Sequence, residues 1–406
     1  LYYGANVSDI LEELPEGVAH TCVTSPPYWN LRRYGADASW PEVSFAPVVG
    51  LEPIVVPSQI IELGQEADPQ AYTGHLVHVL RGVRKALRDD GTLWLNLGDG
   101  YWSDTLSRKT PVEAMWGRRP ASDLSDGRDN IPERNQRGGL GKRPEGLKPK
   151  DLVGIPWRIA LALQADGWWL RNAIIWAKTA HMPSPVKDRL TCSYEVVFLL
   201  SKQSRYYFDL DAIRIPHTCG EYDLSGKFVP PQNWFERGDG HRKMDITAGQ
   251  LGAQAGPPRR VGRGLFNPKG RNPGDVWRLS PTPFPGAHFA VFPPALPERA
   301  ILASTSAAGV CSICGSPWIV DGAFSCQCQG SEQSRALVLD PFSGSGTTGA
   351  VALRLGRDFL GIDLQAQYLP MASARILGDP VPAATNEEED VDLIAEMFKT
   401  GEEDDS

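Results

Sequence analysis

The chain has no apolar run approaching the roughly 18 to 20 residues that a membrane span needs, and its first residues show no charged start leading into a hydrophobic signal core. A cytoplasmic placement is the expectation. Cysteine is scarce, seven in 406 residues, which argues against a disulfide-stapled scaffold. No internal repeat is visible. Positive charge is short as well: the formal net charge is −8, the opposite of what phosphate binding asks for. That deficit is local. Between Thr385 and Ser406 ten acidic residues stand against Lys399 alone, and the rest of the chain is close to neutral. The tail, 381–406, is expected to be solvated and disordered, although Val391, Ile394, Met397 and Phe398 fall at a spacing that a docking helix would use.

What the chain does have is 41% hydrophobic residues, enough to bury a core, with room for about two domains. Leu1 to Tyr3 reads as a strand, Val7 to Leu14 as a helix, and Ala19 to Thr24 as a second strand stopped by Pro26-Pro27. Leu76 to Leu87 has helical spacing and leads through Gly91 into a strand from Thr92 to Leu97. Further on, a helix from Ile155 to Ala165, strands from Asn172 to Trp176 and from Glu195 to Leu200, and a helix from Pro297 to Ser304 are expected. The last block reads strand Ala336 to Asp340, glycine-rich turn, helix Thr347 to Leu355, strand Asp358 to Asp363. Alternating strands and helices imply an α/β fold with a parallel sheet. Two stretches break the pattern, 101–150 and 211–285. Each is rich in Gly and Pro and holds eleven basic against seven acidic residues.

Asp340-Pro-Phe342-Ser-Gly344-Ser-Gly346-Thr347 follows an apolar strand and opens a helix. Small residues there admit a ligand close to the backbone, and a helix N-terminus offers unpaired N–H groups to a carboxylate or phosphate. Asp363 ends the next strand, where an acidic side chain accepts hydrogen bonds from both hydroxyls of a ribose. The spacing departs from the dinucleotide fingerprint, which points to another nucleoside cofactor. A turn that is glycine-rich for packing alone is the plainer reading.

Ser25-Pro26-Pro27-Tyr28 closes a buried strand. The prolines fix the backbone and carry no N–H, leaving carbonyl oxygens to aim at a ligand. The exocyclic amino group of a nucleobase is a poor nucleophile because its lone pair is delocalised into the ring. Hydrogen bonds from its two hydrogens to Ser25 Oγ and the Pro26 carbonyl would free that lone pair, and Tyr28 would stack on the base, a contact worth roughly 1 to 3 kcal/mol. Prolines with flanking aromatics also serve purely structural turns.

Together these elements resemble the DNA amino-methyltransferases of bacterial and phage restriction-modification systems, over most of the chain. Leu170 to Lys178, Ser193-Tyr194-Glu195 and Phe292 to Leu296 add to the likeness. The resemblance implies a doubly wound, Rossmann-like α/β sheet that binds S-adenosylmethionine through Asp340, Phe342, Gly344, Gly346, Thr347 and Asp363, with Ser25 to Tyr28 catalytic. The tetrad precedes the cofactor loop, the permuted order of the family's beta group, so the target-recognition insertion falls at 211–285. Catalytic and cofactor parts then occupy 1–210 and 286–380. Ser in the first tetrad position is typical of members that act on cytosine N4, with adenine N6 the alternative. Carbon-5 chemistry would need a Cys nucleophile, typically after Pro, and no Pro-Cys occurs. Double-stranded DNA is the implied substrate, its target base flipped out of the stack, and a restriction endonuclease the implied companion. One departure stands out: where members commonly have Gly-Asp after the first strand, this chain has Gly4-Ala5. Asn6 is the residue positioned to take over; a DNA-binding relative with weakened catalysis is the alternative of another class, and an RNA or protein methyltransferase is a second.

Cys311-x2-Cys314 and Cys326-x-Cys328 sit within one excursion, 311–328. Four thiolates in a short loop suit a closed structural zinc site, although the single residue between the last pair is fewer than usual, and free cysteines in a hairpin are the other reading. Arg118, Arg119, Arg137, Lys142 and Arg143 in the first irregular stretch, and Arg259, Arg260, Arg263 and Arg271 in the second, are the expected contacts to the DNA backbone.

Overall fold

A computed structural model describes residues 1–102, 146–181, 186–216, 221–222, 228–229, 267, 269–281, 292–320 and 323–378. One eight-stranded sheet organises them. Its strands, numbered along the chain, are β1 (Tyr2–Tyr3), β2 (Ala19–Thr24), β3 (Leu87–Leu97), β4 (Trp169–Lys178), β5 (Tyr194–Ser201), β6 (Val276–Leu279), β7 (Leu337–Asp340) and β8 (Asp358–Asp363), and their order across the sheet is β1-β8-β7-β2-β3-β5-β4-β6. Helices α1 (Val7–Glu13), α2 (Pro69–Ala86), α3 (Ile155–Ala165), α4 (Ala295–Ser304), α5 (Thr347–Arg354) and α6 (Leu369–Leu377) cover it. None of the described helices is long and apolar enough to cross a membrane.

The sheet is buried on both faces because its strands alternate between two cores. Cys22, Leu93, Leu95, Phe198 and Leu339 face α1, α2 and α3, whereas Val23, Trp94, Val197, Leu199 and Val338 face α4 and α5. This explains why the central strands read as continuous apolar runs. The longest helix starts earlier than its apolar spacing suggests. Asp68 accepts from the N–H groups of Gln70 and Ala71, Pro69 takes the first helical position, and Tyr72, Leu76, Leu80 and Val83 bury its inner face at about 1.5 to 3 kcal/mol per large apolar side chain.

The sheet is mixed rather than wholly parallel, which corrects the expectation. β5 runs antiparallel to both β3 and β4; between β4 and β5 the described residues, 179–181 and 186–193, contain no helix, and antiparallel neighbours need no crossover. Val276–Leu279, inside the second irregular stretch, joins the sheet beside β4 by placing Trp277 and Leu279 inward. Two nested two-stranded ladders, Ala38–Trp40 with Gln59–Ile61 and Val43–Phe45 with Ile54–Val56, and helix α6 have sequence signals too brief for their periodicity to register. The acidic tail and most of both basic stretches lie outside the described residues.

Candidate active site

β2, β3, β4, β7 and β8 run in one direction, so their carboxyl ends share one edge of the sheet. Ser25 follows β2, Asn96 lies near the end of β3, and Lys178, Asp340 and Asp363 close β4, β7 and β8. Because β5 is reversed, its beginning reaches the same edge and delivers Glu195. A cleft of about 1070 Å³ opens there, lined by the whole Ser25 to Tyr28 tetrad and by Asp340, Phe342, Gly344, Thr347 and Asp363. Two motifs separated by more than three hundred residues thus form opposite parts of one cavity, the position in which open α/β sheets bind ligands.

The tetrad is held by a chain of hydrogen bonds. Ser25 Oγ donates to Tyr28 Oη at 3.2 Å, and Tyr28 Oη donates to Glu195 Oε2 at 2.6 Å. Asn96 Nδ2 donates to both Tyr28 Oη and Glu195 Oε2, at 2.7 and 2.9 Å, and Lys178 Nζ pairs with Glu195 Oε1. Ser25 spends its only hydrogen on Tyr28, so the remaining lone pairs of its oxygen are acceptors. Burial, reinforced by the Glu195 charge, raises the Tyr28 phenol well above its ordinary value; it stays protonated. Tyr72 Oη caps the Pro27 carbonyl at 2.7 Å, whereas no donor among the described residues meets the Pro26 carbonyl. Asn96 Oδ1 is buried without a partner. A Cβ at Gly98 would lie 2.5 Å from the Tyr28 ring, so that position is open only to glycine while the ring stays in place.

A second network supports the loop behind the tetrad. Glu66, wholly buried, accepts from Gly64 N at 2.8 Å and pairs with His75 Nδ1 at 2.8 Å, and its backbone carbonyl takes Trp29 Nε1. Gly64 O receives Asn30 N at 2.7 Å. Gly64 has φ +92°, and a Cβ there would press on the Tyr28 carbonyl at 3.0 Å.

On the other wall, Asp340 serves the scaffold. Its Oδ1 accepts from Thr24 Oγ1 and Phe342 N, and its Oδ2 from Thr348 Oγ1, while burial raises its carboxyl to about 6. Asp363 accepts from Gly344 N at 2.7 Å and Gln365 N at 2.9 Å, one bond to each oxygen, which leaves each oxygen another acceptor position. Its carboxyl is also raised by burial to about 6. Gly344 and Gly346 take φ of +49° and +74°, a region that favours glycine. Gly346 lies behind the cleft, where a Cβ would meet Ile376 at 3.0 Å; it starts α5 with no side-chain cap, leaving first-turn N–H groups for a ligand beside Thr347. A nucleoside cofactor bearing a carboxylate fits these groups. Asn6 lines the cleft, but its Oδ1 caps α1 through Ser8 N and its Nδ2 donates to Ser39 O.

Lys178, Glu195 and Asn96 are the site residues that pattern reading did not assign. Lys178 and Glu195 lie in segments that add to the family likeness, and each of the three is a polar or charged side chain near one end of an apolar strand. Arg118, Arg119, Arg137, Lys142, Arg143, Arg259, Arg260 and Arg263 lie outside the described residues. Arg271 is described: its backbone exchanges hydrogen bonds with Ile215. The four clustered cysteines converge, with their Sγ atoms all within 4.8 Å of one another.

Comparison with known proteins follows the same lines. A family model described as DNA methylase matches residues 19–374. Type II methyltransferase M.Cfr9I of Citrobacter freundii is 33% identical over 370 residues, covering 91% of this chain and 85% of that protein. Type II methyltransferase M.SmaI of Serratia marcescens is 33% identical over 372 residues, covering 91% and 88%. Among solved structures, PvuII DNA methyltransferase (cytosine-N4-specific) aligns with a TM-score of 0.47 at 15% identity, over 97% of this chain and 89% of that one.

Proposed function

The chain belongs to the N6/N4 DNA methylase family and is an S-adenosylmethionine-dependent DNA methyltransferase; from that premise we propose that its target is N4 of cytosine, presented by a base flipped out of duplex DNA. The observation that carries this reading is the hydrogen-bond chain from Ser25 through Tyr28 to Glu195, which commits the Ser25 hydrogen and leaves its oxygen an acceptor, beside the uncapped Pro26 carbonyl, in the cleft that also contains the cofactor loop. Ser in the first tetrad position supports cytosine over adenine.

Bound S-adenosylmethionine supplies an electrophilic sulfonium methyl. Phe342, Gly344 and the α5 N-terminus at Thr347 would hold it, and Asp363 would accept from its ribose. Ser25 Oγ and the Pro26 carbonyl accept the two amino hydrogens and thereby sharpen the nitrogen lone pair. Once nitrogen carries the methyl group it must shed a proton. Ser25 Oγ takes that proton as its own hydrogen passes to Tyr28 Oη and the phenol hydrogen passes to Glu195 Oε2. Lys178 and Asn96 are positioning residues that keep Glu195 ready to receive it. A companion endonuclease is part of the proposal, on the type II naming of the relatives.

Incubation of the purified protein with unmethylated genomic DNA and labelled cofactor, followed by nucleoside mass spectrometry, tests this reading. N4-methylcytosine is expected. N6-methyladenine would keep the enzyme class and overturn the base; no methylated nucleoside at saturating cofactor would make Ala5 the suspect and favour a DNA-binding relative.

A further inference from the structure

The excursion between α4 and β7 has no part in the chemistry above. Val310–Cys311 pairs antiparallel with Gln333–Ser334, and a two-stranded hairpin, Ile319–Val320 with Ala323–Phe324, folds the chain back between the cysteine pairs. The reversal brings Cys326 and Cys328 to Cys311 and Cys314 although only one residue separates the second pair. All four are free thiols, and their sulfurs lie within 4.8 Å of one another. Tetrahedral Zn–S bonds of about 2.3 Å set sulfurs roughly 3.8 Å apart, so side-chain adjustment of about an ångström closes the site.

The turn around the first pair is built for a thiolate. Ile313 N and Cys314 N both point at Cys311 Sγ, at 3.4 and 3.5 Å, and Gly315, at φ +66°, returns its N–H to the Cys311 carbonyl at 2.8 Å. Backbone N–H groups directed at sulfur stabilise a metal-bound thiolate. The same turn is anchored at the sheet end away from the cleft. Arg88, in β3, donates to the Cys314 carbonyl. Leu337 N donates to His20 Nδ1 at 3.0 Å, which fixes the proton on Nε2, and that nitrogen donates to the Gly315 carbonyl at 3.2 Å. His20 is the second residue of β2, whose far end leads to Ser25. Four strand residues lie between the two, a span of five steps or about 17 Å at the usual rise.

We propose that Cys311, Cys314, Cys326 and Cys328 bind one zinc ion in a closed tetrathiolate site, and that this ion fastens the excursion to His20 and Arg88 at the sheet end opposite the cleft. With four protein ligands it has no open position and takes no part in methyl transfer. Its task is to hold the entry into β7, whose other end carries Asp340.

Metal content of the full-length protein, purified without chelator and dialysed against metal-free buffer, is the direct measurement. About one zinc per chain is expected, with replacement by Co²⁺ producing the visible absorption of a tetrahedral tetrathiolate. A C326S/C328S variant should lose the metal. Removing zinc should lower the melting temperature, while S-adenosylmethionine still binds below the new transition. Folded wild-type protein without zinc or the cobalt spectrum would overturn the site, as would iron in place of zinc or disulfides between the pairs. Loss of cofactor binding while the stripped protein remains folded would overturn its remote role, and methylation of either base leaves the metal result untouched.

Discussion

Thr24 Oγ1 donates a 2.6 Å hydrogen bond to Asp340 Oδ1 across 316 positions of sequence. Both residues are buried, and each sits at the end of a strand that leads into one of the two functional loops. Through this bond the end of the tetrad strand fixes the end of the cofactor strand. Removing the hydroxyl leaves a buried carboxyl short of a donor, at a cost of about 1 to 3 kcal/mol. T24V should therefore lower the unfolding free energy in urea by about that amount, and T24S should recover most of it. A T24V protein as stable as wild type would show the bond to be dispensable.

Replacing Glu195 probes the proton path. E195Q keeps the size and the hydrogen bond to Tyr28 but is a far weaker proton acceptor, so kcat should fall by about 10² to 10⁴ with cofactor affinity little changed. Single-turnover assays beside cofactor titration separate these effects. An E195Q enzyme of normal kcat would remove Glu195 from the chemistry.

Gly98 tests the position of the Tyr28 ring. In G98A the new methyl must displace the ring from its three hydrogen-bonded partners, and activity should drop at least about tenfold, a barrier change near 1.4 kcal/mol, while the cofactor still binds. Turnover at the wild-type rate would show that the ring need not occupy this place.

If the cofactor ribose sits on Asp363 as proposed, this residue sets a pH limit on cofactor binding. Its carboxyl, raised by burial to about 6, must be ionised to accept from both ribose hydroxyls. Below that pH the free enzyme is protonated and binding has to expel the proton, so affinity should decline by up to about tenfold per pH unit, and stay level above it. D363N should bind weakly at every pH and lose the slope. Calorimetric titration between pH 5 and 8 would read both; a flat wild-type profile would place the ribose elsewhere.

The parts of this molecule legible in its sequence are those written in consecutive residues. Ser25 to Tyr28 and Asp340 to Thr347 each combine an apolar strand with a breaker, and the structure places both on one cleft. Glu195 was visible as a charge at the start of an apolar strand and as part of a segment that adds to the family likeness, but its role was not. Its arrival beside Tyr28 depends on the reversal of β5, a property of strand pairing that no local pattern encodes. Glu66 and His75 were hidden for a related reason: a carboxylate in a polar loop and an imidazole in a helix nine positions on give no hint that they pair until the loop closes over them. Asp340 was legible as a cofactor-loop residue; that its carboxylate also ties the end of β2 to its own loop and to the start of α5 was not.

Tyr2 and Tyr3 pair with Ile362 and Asp363, so the opening strand lies against the closing one. The sheet is open, with β1 and β6 at its edges, yet the first and last of its strands along the chain are neighbours. A gene cut within 211–275 and spliced from the end of α6 to the start of β1 would encode the glycine-rich loop first and the tetrad second, with every strand keeping its neighbours. Block order in such a polypeptide records how its gene was assembled, and selection acting on the cleft has little means of detecting it.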